Sequence, residues 1–255
     1  MAPFFSDAFL IGILLSALGL VFGSFGSVLI TRMPKDESLG GRSHCPHCRH
    51  KLHAIELIPL ISFLIQGGRC RHCKAKISWQ YPLLELAVMG LFLSAGFATS
   101  FLFLPALALA FVFWSMLMIG IVDMRTQTIP DVLTAVLAIS AAIFHVAIGG
   151  GIPWTGALFG VVFFGAQWIF SRGMWVGSGD ILLAAALGIL LGSWQHSIIM
   201  LMVAYIVGAL LVSVLLGLGR MKRTQNIAFG PFLVLGAVIS FFFADQILLV
   251  VLPMY

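Results

Sequence analysis

From Tyr81 onward, long apolar blocks follow one another with only short breaks, and one further block precedes them near the N-terminus. A chain of this kind has few folds open to it. In hydrocarbon every backbone N–H and C=O must find a partner within the protein, which leaves helices and closed barrels. A helix needs about 20 apolar residues to cross. The blocks lie at roughly 8–30, 81–97, 101–121, 132–148, 153–171, 181–194, 197–218 and 229–252. They predict an all-α polytopic membrane protein of about eight transmembrane helices. The sixth block is short for a full crossing, so it either begins before Asp180 or sits partly in a water-lined cavity. Composition agrees: 61% of the 255 residues are hydrophobic and 9% are charged, against roughly 25% charged in soluble domains. Met1 to Asp7 contains no Lys or Arg, and the run from Ala8 to Ile30 is too long for a signal-peptide core. A retained first span is expected.

Charge sets an expected orientation. Short cytoplasmic loops collect Lys and Arg, and translocated loops lack them. Nine of the fourteen basic residues fall between Arg32 and Lys76, in the one extended hydrophilic segment, 31–80. If that segment is cytoplasmic, eight spans put Arg125, Arg172, Arg220, Lys222 and Arg223 on the same side. The loops assigned to the other side hold no Lys or Arg. The net charge of +5 therefore belongs to a compact domain beside a membrane. No groove of basic residues with interleaved aromatics is present, so a nucleic-acid partner is not expected. The expected organisation is a first transmembrane helix over 1–30, a cytoplasmic cysteine domain over 31–80, and a membrane domain of about seven helices over 81–255. Glycines paired four residues apart, Gly19/Gly23, Gly156/Gly160 and Gly188/Gly192, predict close helix packing.

All four cysteines lie in the hydrophilic segment, as Cys45-Pro46-His47-Cys48 and Cys70-Arg71-His72-Cys73, with 21 residues between the pairs. Two CxxC knuckles at about this separation form a zinc-site pattern. Each knuckle turns two thiolates toward one tetrahedral ion. A segment this short has little core of its own, and a metal supplies the missing constraint. Cys45, Cys48, Cys70 and Cys73 are thus expected to hold a structural zinc in a zinc-ribbon-like domain. A four-thiolate site is closed, which argues against catalysis by that ion. His44, His47, His50, His53 and His72 are expected to be solvated neighbours.

The acidic residues sort by position. Glu85, at the start of the second span, suits either a helix-dipole role or a functional one. Asp131 follows Pro130 in the first turn of the fourth span and suits a capping role. Asp123 ends the third span, and Asp180 closes Gly177-Ser178-Gly179-Asp180 before the sixth. Ionisable groups at membrane depth are functional candidates, and the expected topology puts both at the same interface. Two carboxylates a few ångströms apart cannot both ionise, so the pair holds one acid and one base at a single pH. That pairing supports water activation by one group and protonation of the scissile amide by the other.

Taken together, several motifs resemble the type IV prepilin peptidases. Gly23-Ser24-Phe25 with Arg32-Met33-Pro34 is similar to the family's GSF…R-x-P signature. The cysteine segment carries Ile58-Pro59-Leu60 between its knuckles and runs into Ile77-Ser78-Trp79-Gln80-Tyr81-Pro82-Leu83-Leu84-Glu85. Asp123 with Ile129-Pro130-Asp131, the GxGD block at 177–180 and Phe229-Gly230-Pro231-Phe232 follow in the family's order. The resemblance implies a bacterial inner-membrane aspartic endopeptidase that removes the basic leader from prepilins and pseudopilins at the cytoplasmic face. It also implies methylation of the new N-terminus from S-adenosylmethionine, and a catalytic pair of Asp123 and Asp180 rather than Asp131. Leu182 stands where many members carry Lys, and Gly26-Ser27 replaces the usual Leu-Asn. Neither removes a catalytic group. The competing classes are an ion- or proton-coupled transporter using the intramembrane aspartates and a non-catalytic anchor built on the metal domain. The first lacks a chain of ionisable groups across the membrane, and the second leaves the paired aspartates unexplained.

Overall fold

The computed structural model describes residues 7–35, 37–222, 225 and 227–251. Arg223 from the charge analysis, the first six residues and the end of the last expected span lie outside them. Within the described residues the chain is helical. The long helices are α1 (Asp7–Arg32), α3 (Gln80–Ala98), α4 (Phe103–Thr126), α5 (Asp131–Ala147), α6 (Thr155–Ser171), α7 (Ser178–Leu191), α8 (Trp194–Gly217) and α9 (Gly230–Val251); the short helix α2 (Ile61–Ile65) lies between the cysteine pairs. Five helical segments are long and apolar enough to cross a membrane: Asp7–Lys35, Gln80–Ala98, Phe103–Thr126, Trp194–Gly217 and Gly230–Val250. This is the pattern of a multi-pass membrane protein. The helices α5, α6 and α7 are apolar but shorter.

Two boundaries differ from expectation in a way that bears on the acids. α4 continues to Thr126, so Asp123 lies inside the helix rather than at its end. α7 begins at Ser178, which places Asp180 in its first turn. In both cases the carboxylate has a backbone N–H to accept from, so the polar side chain does not force the helix to stop.

The chain divides into two compact units, Met1–Trp114 and Ser115–Tyr255. The division falls within α4, not at the change from polar to apolar composition. In the first unit α1 lies directly on α3. A Cβ added at Gly19 would come 2.6 Å from Met89 Cα, and one at Gly23 would come 2.6 Å from Glu85 Cα. Only glycine permits this approach. The Trp114 indole donates to the Phe22 carbonyl at 3.1 Å, and Phe22 meets Phe111 edge to face at 4.7 Å between centroids.

In the second unit α7 is the central element, packed against α5, α6, α8 and α9. Its small residues make that possible. Gly188 meets the backbone of Gly156, and a Cβ on Gly160 would come 2.9 Å from the Ala184 carbonyl. Gly192 ends the helix at φ +82°, a conformation that favours glycine. The expected packing role of the glycine pairs is met here, with α6 and α7 forming the seam.

Candidate active site and candidate metal centre

Asp123 is 3% exposed. Its Oδ2 accepts a hydrogen bond from the Gly230 N–H at 2.9 Å. Gly230 is the first residue of α9 and precedes Pro231, whose fixed φ suits the first turn of a helix. The carboxylate therefore sits at the positive end of α9, where free N–H groups favour an anion. The approach leaves no room for a side chain, because a Cβ on Gly230 would lie 2.6 Å from Asp123 Oδ2. Sequence analysis singled out the Phe-Gly-Pro-Phe stretch without finding this contact. The partners are 107 residues apart, and nothing local connects them.

Asp180 is half-buried in the first turn of α7, and its Oδ2 accepts from the Gly177 N–H at 3.0 Å. It caps its own helix, so the GxGD turn has a structural role as well as any chemical one. Gly179 packs on Ile129, where an added Cβ would lie 3.1 Å from the Ile129 Cβ. This contact seats the start of α7 against the segment joining α4 to α5. Asp180 lies close enough to Asp123 to feel its charge, and no hydrogen bond joins the two directly. Tyr205 of α8 also lies within reach of the Asp180 charge. Its hydroxyl donates to Gln167 Oε1 at 3.4 Å, and its ring is 5.1 Å from that of Phe229. A cavity of about 420 Å³ opens beside these rings, lined by Tyr205, Val212, Ile227, Phe229 and Phe232 among others. Asp131 is exposed at the start of α5 and makes no hydrogen bond to either aspartate.

Glu85 behaves as neither a helix cap nor a solvated acid. It is 7% exposed, and its Oε2 accepts the Leu60 N–H at 2.8 Å. Asp245, near the far end of α9, pairs with His196 Nε2 at 3.1 Å.

The two cysteine knuckles are built alike. The Arg49 N–H donates to the Cys45 carbonyl at 2.9 Å, and the Lys74 N–H donates to the Cys70 carbonyl at 3.0 Å. The Cys45 N–H donates to the His50 carbonyl and the Cys70 N–H to the Ala75 carbonyl, both at 2.9 Å. Arg49 (φ +56°) and Lys74 (φ +59°) turn the chain at equivalent positions. The result brings all four sulfurs within 4.8 Å of one another, and Cys45 Sγ lies 3.8 Å from Cys73 Sγ. Four thiolates about 2.3 Å from a tetrahedral zinc stand about 3.8 Å apart, so the donor set fits such an ion. The N–H of Cys48 donates to the Cys45 thiol and, despite burial, holds it down at about 7. For Cys48 an N–H from His50 favours the thiolate, but loss of water and the neighbouring thiols Cys73, Cys45 and Cys70 outweigh it and push the group up to about 11. His50 and His72 stack on each other at 4.8 Å, and neither belongs to the four-sulfur cluster.

Fold and geometry define a multi-pass helical membrane protein with a four-cysteine clip and two carboxylates from separate helices held within electrostatic reach. Residues 17–99 match the bacterial peptidase A24 N-terminal domain, and residues 109–213 match the type IV leader peptidase family. A prepilin leader peptidase/N-methyltransferase of Pseudomonas aeruginosa is 33% identical over 90% of this chain and 89% of its own length. Proteins of the same description from Aeromonas salmonicida and Burkholderia pseudomallei are each 34% identical, over 85% and 89% of this chain and 78% and 83% of theirs. No solved structure matches the chain. The chain belongs to the type IV leader peptidase family and is an enzyme of the membrane peptidase class.

Proposed function

We propose that the protein cleaves the leader from prepilins and pilin-like precursors at the cytoplasmic face of the bacterial inner membrane, with Asp123 and Asp180 as the catalytic pair, and that it then N-methylates the new terminus. The observation that supports the peptidase assignment is that two carboxylates from α4 and α7, each accepting from a glycine N–H, lie within reach of each other's charge. Close acids share one proton. In the proposed reaction the ionised member takes a proton from water, whose oxygen attacks the scissile carbonyl, while the protonated member donates to the carbonyl oxygen. Collapse of the tetrahedral adduct breaks the C–N bond, and a carboxyl proton passes to the departing nitrogen.

The proposed setting is one in which all eight long helices are embedded and the segment 31–80 is cytoplasmic, as the distribution of Lys and Arg favours. At 14 residues α7 is about 21 Å long, short of a hydrocarbon core of about 30 Å. In that setting the short helix would leave Asp180 below the cytoplasmic surface of the bilayer, where water and the extended leader junction would have to reach it. The cysteine clip is proposed to hold zinc as a structural ion. S-adenosylmethionine, when bound, would supply an electrophilic methyl group for the new N-terminal amine.

The test uses purified protein in lipid nanodiscs with a full-length prepilin. Asp123→Asn and Asp180→Asn are each expected to abolish leader removal while inserting normally, and Asp131→Asn is expected to retain most of the activity. Mass analysis of the product's N-terminus reads cleavage and methylation separately. Wild-type cleavage by Asp180→Asn would refute the proposed pair.

A further inference from the structure

We propose that the stretch from Ile55 to Ile65, between the two cysteine knuckles, dips into the membrane surface, with its apolar side chains in the leaflet and its basic flanks on anionic lipid headgroups. The inference takes α1 and α3 as membrane spans and does not depend on the chemistry proposed above.

Composition marks the stretch within an otherwise polar segment. From Leu52 to Gly68 the chain holds no Lys or Arg, and Glu56 is its only acid. Arg49 and Lys51 precede it, and Arg69 and Arg71 follow. An apolar run of this length is too short to cross a bilayer and suits either a buried core or an interfacial segment. It does not form a core. Ile55, Ile58, Ile61, Leu64 and Ile65 are all exposed, Leu64 to 74% and Ile65 to 66%. Ile61, Leu64 and Ile65 stand at i, i+3 and i+4 and share one face of α2, while Ser62, Phe63 and Gln66 are half-buried. An exposed apolar patch of this kind marks a surface that meets a partner or a membrane.

Position decides for the membrane. The Leu60 N–H donates to Glu85 Oε2 at 2.8 Å, and Glu85 lies in the second turn of α3. Opposite it is Gly23, where an added Cβ would come 2.6 Å from Glu85 Cα. Gly23 precedes Arg32, the basic end of α1, by nine residues, roughly 13 Å along the helix. The Leu60 backbone is thus bonded to a side chain rooted well inside the ends of two spans. The helix α2, which starts at the next residue, cannot stand clear of the bilayer. Phe63 meets Trp79 edge to face at 5.0 Å between centroids, and Trp79 is an exposed aromatic at the entry of α3, a position typical of the membrane–water interface. The backbone suits that depth, where unpaired polar groups are costly. The N–H groups of Ser62, Leu64, Gln66 and Gly68 donate to the Ile58, Leu60, Ser62 and Phe63 carbonyls, each at 3.0 Å. Glu85 supplies the acceptor for Leu60, whose φ of +58° turns the chain into α2. Glu56 is half-buried and accepts the His53 N–H at 2.9 Å. The flanking cations complement anionic headgroups, as in amphipathic segments that lie in an interface.

The test measures depth in the full-length protein in nanodiscs of phosphatidylcholine and phosphatidylglycerol. A spin label is carried on a keto amino acid introduced in place of Leu64 and, in separate samples, Ile65, Arg71 or Leu86, so that the cysteines stay untouched. Collisions with oxygen report hydrocarbon, and collisions with a water-soluble nickel chelate report water. Labels at Leu64 and Ile65 are expected to give an oxygen-to-chelate ratio several-fold above that at Arg71. The ratio is expected to fall when phosphatidylglycerol is omitted, and an unchanged ratio would overturn the role of the flanking cations. Zinc content and thermal midpoint establish that each labelled protein is folded, and Ile65 decides the matter if the Leu64 sample misfolds. Chelate access equal to that at Arg71 would put the patch in water and overturn the proposal. Shielding from both probes would mean that protein covers the patch, and would overturn it equally. Leu86, exposed on α3, is expected to read as lipid. Water at Leu86 would overturn the spanning of α3 and the proposal with it, whereas lipid at Leu86 with water at Leu64 would overturn the proposal alone.

Discussion

Gly230 offers the sharpest test of how the catalytic pair is held, because one methyl group probes both the hydrogen bond and the space around it. In Gly230→Ala the new Cβ would stand 2.6 Å from Asp123 Oδ2, well inside van der Waals contact. Asp123 is anchored in α4 and 3% exposed, so relief comes from shifting the carboxylate away from the Gly230 N–H. A hydrogen bond to a charged group contributes about 1.5–3 kcal/mol. Lost from the reacting geometry, that energy corresponds to a fall of roughly 10- to 150-fold in kcat/KM. A displacement of about 1 Å in a reacting group costs on the order of a hundredfold by an independent route, so the two estimates agree. The assay is steady-state cleavage of a prepilin in nanodiscs, with the thermal midpoint measured on the same preparation. The expected result is a loss of this size in the rate with the fold retained. Wild-type kcat/KM in folded Gly230→Ala would refute this account of how Asp123 is held.

Two further outcomes concern the framework. Metal binding requires four thiolates, and in the metal-free protein Cys48, pushed up to about 11, keeps its proton at neutral pH, while Cys45, held at about 7, is partly ionised. Uptake therefore releases protons, and zinc affinity is expected to fall as pH drops from about 8 to about 6; competition against a chromophoric chelator reads it, and a flat profile would contradict a thiolate site. Gly188→Val places a branched side chain against the Gly156 backbone, and overpacking of this kind costs about 1–3 kcal/mol. A lower thermal midpoint with metal retained is expected, and an unchanged midpoint would show that α6 and α7 are not so closely seated.

What the sequence revealed and what it hid separate along physical lines. Long apolar runs dictate helices because hydrocarbon offers the backbone no partners, so each of the eight long helices coincides with an expected block to within a few residues. The knuckles were equally legible, since a CxxC pair closes its turn with bonds that reach only five residues, as between Cys45 and His50. The pairings that fix the acids are of another kind. Gly230 meets Asp123 across 107 residues and Leu60 meets Glu85 across 25, and neither contact leaves a trace in local composition or spacing. For Glu85 a helix-dipole role and a functional one stayed open, because the hydrophilic segment gives no sign that the Leu60 backbone folds back to it. The division into units was hidden for a related reason. Composition changes from polar to apolar near Gln80, whereas packing divides the chain inside α4, a helix whose sequence is apolar on both sides of the break. In a chain like this, composition reports the solvent around each segment and long-range contacts determine which buried charges are held. Distant backbone N–H groups hold Asp123 and Glu85, whereas Asp180 accepts from Gly177 in its own turn, which is why the GxGD spacing alone could point to it.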